Sequence, residues 1–432
     1  MEMKNSDIYT IIKNGISYLP VAGMLMLVAA LPFQYGCVQR TALYILGISY
    51  PIDYILNRRW QGWHWTQDKW VYVVMILLFL LTPLWQLFDP TPPTDYYKFQ
   101  LHQRSAFVWV SVAGLSGFSP RLRTRDVGVV MLLTGIYMLV TTLYGYLHSD
   151  LPIWTLRHFN YYRAHHINSH MVMNLYMNTA LIFGALGLSQ WSKKGMKYAV
   201  VVMMLAVWCF ILLIDGRVGF VTSLLLITIF FVRWCWQRKH IAGVLAFTVF
   251  AMVSSVLIHF NNRLTPDKIE NDPRMVIWDY SIRRIAAHPW LGYGLSTHSV
   301  DYVEGAYTDK EMYDGFIVRT IDYHPEFAAQ GRTMITHHPH NAFLEYWLEN
   351  GIFGLLLFIA LFVSAACMSF GEKRIYIWTF LLAFGIQCLF EPIGDHLQPQ
   401  FIALMLFCLQ HEVAASAPVS QDDDDNNPTV QA

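Results

Sequence analysis

Apolar runs of about 16 to 24 residues recur along this chain, with charged residues gathered in short clusters between them. A run of that length, wound as a helix, crosses roughly 30 Å of hydrocarbon. Helical spans are predicted at about 16–33, 41–56, 70–87, 104–118, 127–147, 171–190, 198–214, 218–233, 241–260, 350–369, 376–390 and 400–412. The runs are continuous rather than alternating, which argues against a closed barrel. The expected fold class is all-α: a polytopic membrane protein of about 12 transmembrane helices.

Cations test that count. With the N-terminus in the cytoplasm, the even connections hold Arg58, Arg59 and Lys69; Arg121, Arg123 and Arg125; Lys193, Lys194 and Lys197; Arg233, Arg238 and Lys239; and Lys373 and Arg374. The opposite connections hold only scattered ones: Arg40, Lys98, Arg104, Arg157, Arg163 and Arg217. Cytoplasmic loops are enriched in Lys and Arg, so the asymmetry supports both parity and orientation. It places one large loop, 261–341, outside the cytoplasm, within a helical membrane domain spanning 1–412. Residues 413–432, with Asp422 to Asp425 in a row, read as a disordered cytoplasmic tail.

Composition agrees. Hydrophobic residues make up 55% and charged residues 14% of the chain, where a soluble protein carries roughly a quarter charged. Mean hydropathy is +0.35. Formal net charge is zero, so nothing points to a nucleic-acid partner. The six cysteines show neither a disulfide framework nor zinc-ligand spacing. Val28-Ala29-Ala30 resembles a signal-peptide cleavage site, but removing the first span would spoil the parity, so a retained span is expected.

The chemistry concentrates where polar residues meet an apolar run. In His338-Pro339-His340-Asn341, followed by the run to Glu349-Asn350-Gly351, two imidazoles stand at the mouth of a helix. Imidazole exchanges protons near neutral pH, and lipid repels charge, so such a cluster suggests chemistry rather than anchoring. Upstream, Asp272 and Pro273 suit the start of a short helix within the large loop. That helix carries Arg274, with Trp278, Ile282 and Ile285 on one face at helical spacing. Arg217, in the break Asp215-Gly216-Arg217, has two open readings: an interfacial anchor or internal pair with Asp215, or an anion site. Asn341 is placed to cap the helix. Gly351 suits close helix contact, and Glu349 is placed to orient a histidine or an arginine. His166 and His170, four apart, read as structural or groove residues, since no carboxylate or cysteine beside them completes a metal site.

These blocks resemble the O-antigen ligase and O-antigen polymerase superfamily. His340, ten residues, then Gly351, inside an H-x-H-N opening, is similar to that family's signature. Arg274 to Trp278 followed by His288-Pro289-Trp290-Leu291-Gly292-Tyr293-Gly294 is similar to its R-x3-W and P-x-x-G-x-G stretch, in the required order. The family commonly has a serine before the arginine of the 215–217 turn; here glycine stands there. The close match covers roughly 80 residues.

The resemblance implies an enzyme of the bacterial inner membrane that transfers a glycan from undecaprenyl diphosphate to a lipid A–core hydroxyl at the periplasmic face, inverting and without metal or other cofactor. On that reading Arg217 and Arg274 hold the diphosphate through charge-assisted hydrogen bonds of about 1.5–3 kcal/mol each. Asn341 and Trp278 line the substrate site. His340 accepts the hydroxyl proton, contributing about 10²–10⁴ in rate, with His338 as the other candidate base. The partners implied are the lipid-linked glycan donor, a lipid A–core or other glycan acceptor, and membrane lipids. Polymerization of lipid-linked glycan and protein O-glycosylation use the same donor chemistry. A polysaccharide transporter or flippase fits the span count, but the chain shows no repeat symmetry. The first outer connection, Pro32 to Arg40, lacks the carboxylate that a metal-dependent lipid-sugar transferase would place there.

Overall fold

The structure is a computed structural model that describes residues 13–33, 36–58, 65–87, 98, 101–102, 104–116, 123–148, 170–188, 190–213, 216–238, 243, 273–294, 317–318, 334–335, 339–367 and 374–390. The protein is all-α in architecture. Its described helices are α1 (Leu19–Ala30), α2 (Gly36–Leu56), α3 (Trp70–Gln86), α4 (Ala106–Leu115), α5 (Thr124–Leu147), α6 (His170–Leu188), α7 (Lys194–Leu213), α8 (Arg217–Arg238), α9 (Pro273–Ala287), α10 (Ala342–Ala366) and α11 (Arg374–Phe390). A two-residue antiparallel pair, Ile317–Val318 with Met334–Ile335, lies in the long connection between α9 and α10.

Every predicted span up to 218–233, and those at 350–369 and 376–390, falls on one of these helices. The spans at 241–260 and 400–412 lie outside the described residues, as does the 413–432 tail. Among the described residues, six helices are long and apolar enough to cross a membrane: Lys13–Ala30, Gln67–Gln86, Thr124–Gly145, Met171–Leu188, Lys194–Leu212 and Ala342–Ala366. The full count of twelve is therefore not established. The tenth span starts earlier than hydropathy suggests, at Ala342, because Asn341 caps it and Glu345, Glu349 and Asn350 are buried inside the bundle.

Side-chain contacts fix the helix directions. A Cβ on Gly128, near the start of α5, would lie 2.9 Å from the Phe183 carbonyl oxygen near the end of α6. Gly114 at the end of α4 packs on Tyr72 at the start of α3. Tyr176 in α6 donates to the Val28 carbonyl late in α1 (2.9 Å). Phe230 late in α8 meets Tyr376 early in α11, and Phe362 late in α10 stacks on Phe384 of α11 at 5.4 Å. Asn178 of α6 donates to the Gly219 carbonyl at the start of α8 (3.1 Å). One end of the bundle thereby collects the C-terminal ends of α1, α3 and α11 and the N-terminal ends of α4, α6, α8 and α10. Arg217, which opens α8, and His340, which precedes α10, share that end. The core between these helices is apolar and aromatic, built on residues such as Leu27, Phe107, Phe183, Phe210 and Phe380.

Candidate active site

Residues 339–351 begin with a tight turn. Pro339 is buried, and His340 adopts a left-handed backbone (φ 49°), a region that a residue with a side chain enters at a cost. Asn341 then returns to extended geometry (φ −159°), and its side-chain oxygen accepts from the amides of Phe343 (3.0 Å) and Leu344 (3.1 Å). Two of the amides that a helix start leaves unsatisfied are thus paired. The imidazole of His340 is half-buried immediately before a rigid helix whose first turn carries Glu345.

Nine residues into α10 the helix breaks. Gly351 has φ 62° and ψ −159°, so the chain cannot continue the usual ladder. The bonds lost there are remade with the 289–294 loop. Tyr293 N–H donates to the Leu348 carbonyl and Gly294 N–H to the Glu349 carbonyl, both at 2.7 Å, while Ile352 N–H donates to the Pro289 carbonyl at 3.0 Å. The Trp347 indole also donates to the Pro289 carbonyl (3.1 Å). Backbone groups buried in an apolar setting must be paired, and these bonds pair groups that the break would otherwise leave open. A Cβ on Gly351 would run into the Trp290 carbonyl, and one on Gly292 (φ 68°) into the Leu348 carbonyl. The glycines at these two places are therefore sterically required. The P-x-x-G-x-G stretch and the glycine ten residues beyond His340 are two halves of one joint.

That joint brings α9 against α10. Ile285 and Leu348 are buried together, with Leu344, Trp347 and Tyr293 around them. Tyr293 donates its hydroxyl to the Arg284 carbonyl (3.1 Å), and the Arg284 guanidinium lies 4.2 Å from its ring centre. Further back along α9, half-buried Trp278 faces Phe390, the last residue of α11, with ring centres 6.0 Å apart. Its indole N–H is buried without a hydrogen-bond acceptor among the described residues. Arg274, one turn earlier, is also half-buried. Of the face expected on α9, Ile285 is buried and Ile282 is 56% exposed, so the helix presents an edge to its surroundings there. The indole of Trp85, at the end of α3, donates to the Leu291 carbonyl and holds the loop from the other side.

Arg274, Trp278, His340 and Asn341 thus come from two elements that the 289–294 loop locks together. Arg217 opens α8 at the same end of the bundle; its side chain lies outside the described residues, as do His338, Asp215, Asp272 and the 391–396 turn. Asn174 and Asn178 of α6 hold the glycines beside Arg217: Asn178 donates to the Gly219 carbonyl, and the Asn174 amide fills the space against Gly216 and Gly219. Asn341 is the helix cap, which commits its oxygen to backbone amides.

Sequence reasoning passes over Arg104. Its guanidinium is buried and pairs with Glu349 at 2.5 Å. A lone arginine at a span's edge reads as an anchor; the signal for the pair lies in Glu349, a carboxylate inside an apolar run that calls for a cation.

Residues 199–359 match the model of the O-antigen ligase family. This segment is similar to the O-antigen ligase domain over those residues. It contains Arg217, the whole of α9, the 289–294 loop and the first turns of α10, so the joint lies inside the matched region. A candidate polysaccharide ligase of Rickettsia conorii is 36% identical over 88 residues, which cover 20% of this chain and 18% of that protein. The chain's match thus spans under a fifth of that relative's length.

Proposed function

We propose that the protein is a glycosyltransferase that moves a glycan from undecaprenyl diphosphate to a sugar hydroxyl of lipid A–core, at the periplasmic face of the bacterial inner membrane. The observation that carries this reading is the backbone joint of the 289–294 loop with the kinked α10, which ties an arginine-bearing helix to an imidazole-bearing helix start within the family-matched segment. Arg274 and Arg217 hold the diphosphate. A guanidinium is permanently charged and presents parallel donors to phosphate oxygens, so it neutralises charge that grows as the diphosphate departs. His340 takes the acceptor proton. The freed oxygen attacks the anomeric carbon opposite the diphosphate, the bond from that carbon to the phosphate oxygen breaks with its electron pair, and the configuration inverts. The proton then passes from the imidazole to solvent. His338 is the alternative acceptor of that proton.

Reconstitution tests this. Purified protein in lipid vesicles receives lipid-diphosphate glycan together with either core lipid or more lipid-linked glycan. Transfer to core lipid supports the ligase reading; chain growth on the donor lipid alone overturns it in favour of polymerization. His340→Ala abolishes transfer while the protein remains folded, and normal turnover in that variant moves the base to His338.

A further inference from the structure

Arg104 stands just before α4, 245 residues from Glu349 in the chain. Both side chains are almost wholly buried, at 1% and 0% exposure. Its Nη2 donates to the Glu349 carboxylate, and its Nη1 donates to Thr82 near the end of α3 (3.1 Å). Its guanidinium also lies 5.2 Å from the ring centre of Tyr346, one turn back along α10. Three helices, α3, α4 and α10, therefore meet on one cation. Charge within a membrane bundle is expensive, and a buried ion pair seldom exceeds an apolar replacement in stability. What such a pair supplies is directionality. Glu349 is the informative partner, because its side chain is tied to Arg104 while its backbone carbonyl accepts from Gly294 of the signature loop (2.7 Å). Between Glu349 and the Asn341 cap runs an unbroken stretch of helix, so a rotation or slide at Glu349 is passed rigidly to His340.

We propose that Arg104, acting through Glu349, is a positioning residue: it sets the rotation and depth of the helical segment that carries His340 and receives the 289–294 loop. This inference rests on the reading of His340 as the proton acceptor. A displacement of about 1 Å at a reacting group costs on the order of 100-fold in rate. The donor site, on α8 and α9, is less directly attached to Arg104, so the effect falls on kcat rather than on the donor KM.

The test uses the full chain in lipid nanodiscs, with Arg104→Gln, Arg104→Lys and His340→Ala compared with wild type. Two quantities are read: kcat per folded molecule with donor KM, and amide hydrogen exchange resolved along the chain. Arg104→Gln lowers kcat roughly 10–100-fold with donor KM within about twofold. It also speeds exchange at Tyr293, Gly294 and the start of α10 while distant helices keep their protection. Arg104→Lys, which retains the charge, recovers the larger part of kcat. Wild-type kcat and unchanged exchange in Arg104→Gln overturn the inference, as does a uniform loss of protection with kcat per folded molecule intact. If wild type transfers and His340→Ala does not, a null result for Arg104 defeats the positioning role alone. If wild type transfers nothing, the catalytic reading falls, and the exchange pattern by itself decides whether Arg104 sets the position of α10.

Discussion

Gly351→Ala separates folding from function in this protein. Two outcomes compete. If the loop stays docked, the alanine must hold a left-handed backbone, which costs about 1–2 kcal/mol, and its Cβ must share space with the Trp290 carbonyl, a backbone atom that cannot swing aside. If the loop undocks, the bonds from Tyr293, Gly294 and Ile352 are lost. Straightening α10, however, returns the ladder bonds from Ile352 N–H to Leu348 and from Phe353 N–H to Glu349. The net loss is one backbone bond together with the indole bonds of Trp347 and Trp85 to the loop, about 1.5–4.5 kcal/mol at about 0.5–1.5 kcal/mol each. The overlap with a backbone carbonyl closes off the docked geometry, so the helix straightens and the loop leaves. The protein remains folded, destabilised by about 1.5–4.5 kcal/mol, yet the arrangement of α9 against His340 is gone, and transfer falls on the order of 100-fold or more. Hydrogen exchange of the Tyr293 and Gly294 amides, measured beside the transfer assay, checks both halves. Wild-type protection at those amides together with wild-type turnover would refute the account of the joint.

The remaining expectations concern single side chains and conditions. Asn341→Ala removes the cap and lowers stability by about 0.5–2 kcal/mol, whereas Asn341→Ser, which keeps an acceptor oxygen, melts close to wild type; equal melting of the two variants would show that the cap contributes nothing. Arg274→Lys keeps the charge but loses the parallel donors, so kcat/KM for the donor drops roughly 10–100-fold, as expected for one charge-assisted bond of about 1.5–3 kcal/mol; an unchanged value in steady-state kinetics removes Arg274 from the diphosphate site. Transfer proceeds at full rate in chelator, and a loss restored by added divalent ion would contradict a metal-free mechanism.

Much of the helical plan is legible in the sequence because lipid imposes one dominant rule: backbone polarity must be hidden within long apolar helices. Span positions follow from that rule, and each predicted span among the described residues falls on a helix. Boundaries are less legible where a helix buries polar residues. Hydropathy starts the tenth span at 350, since it cannot see that Glu345, Glu349 and Asn350 lie inside the bundle; the cap at Asn341, read from residue type, marks the true start. The joint is legible only in part. Its glycines stand out, and Gly351 suggests close packing, but the exchange of bonds at the kink depends on three backbone segments meeting at angstrom precision. Arg104 illustrates the deeper limit. Its partner is far along the chain, and no local pattern distinguishes a buried, paired arginine from one that anchors at the interface.

The loop and the buried pair solve one physical problem from two sides. A broken helix inside an apolar bundle leaves donors and acceptors that no water satisfies, so a break persists only where protein supplies partners. The 289–294 backbone supplies them on one flank of α10, and Arg104 holds the Glu349 side chain on another. A straight α10 would need no docked loop, though the buried Glu349 carboxylate would still need its cation. The kink therefore requires the docked loop, and what the loop and the ion pair jointly fix is the placement of the segment that begins at His340. On the proposed function, that placement is what a base needs when its substrates arrive by lateral diffusion: the lipid would bring donor and acceptor to one surface, and a well-braced support would hold the imidazole within reach of a particular hydroxyl proton.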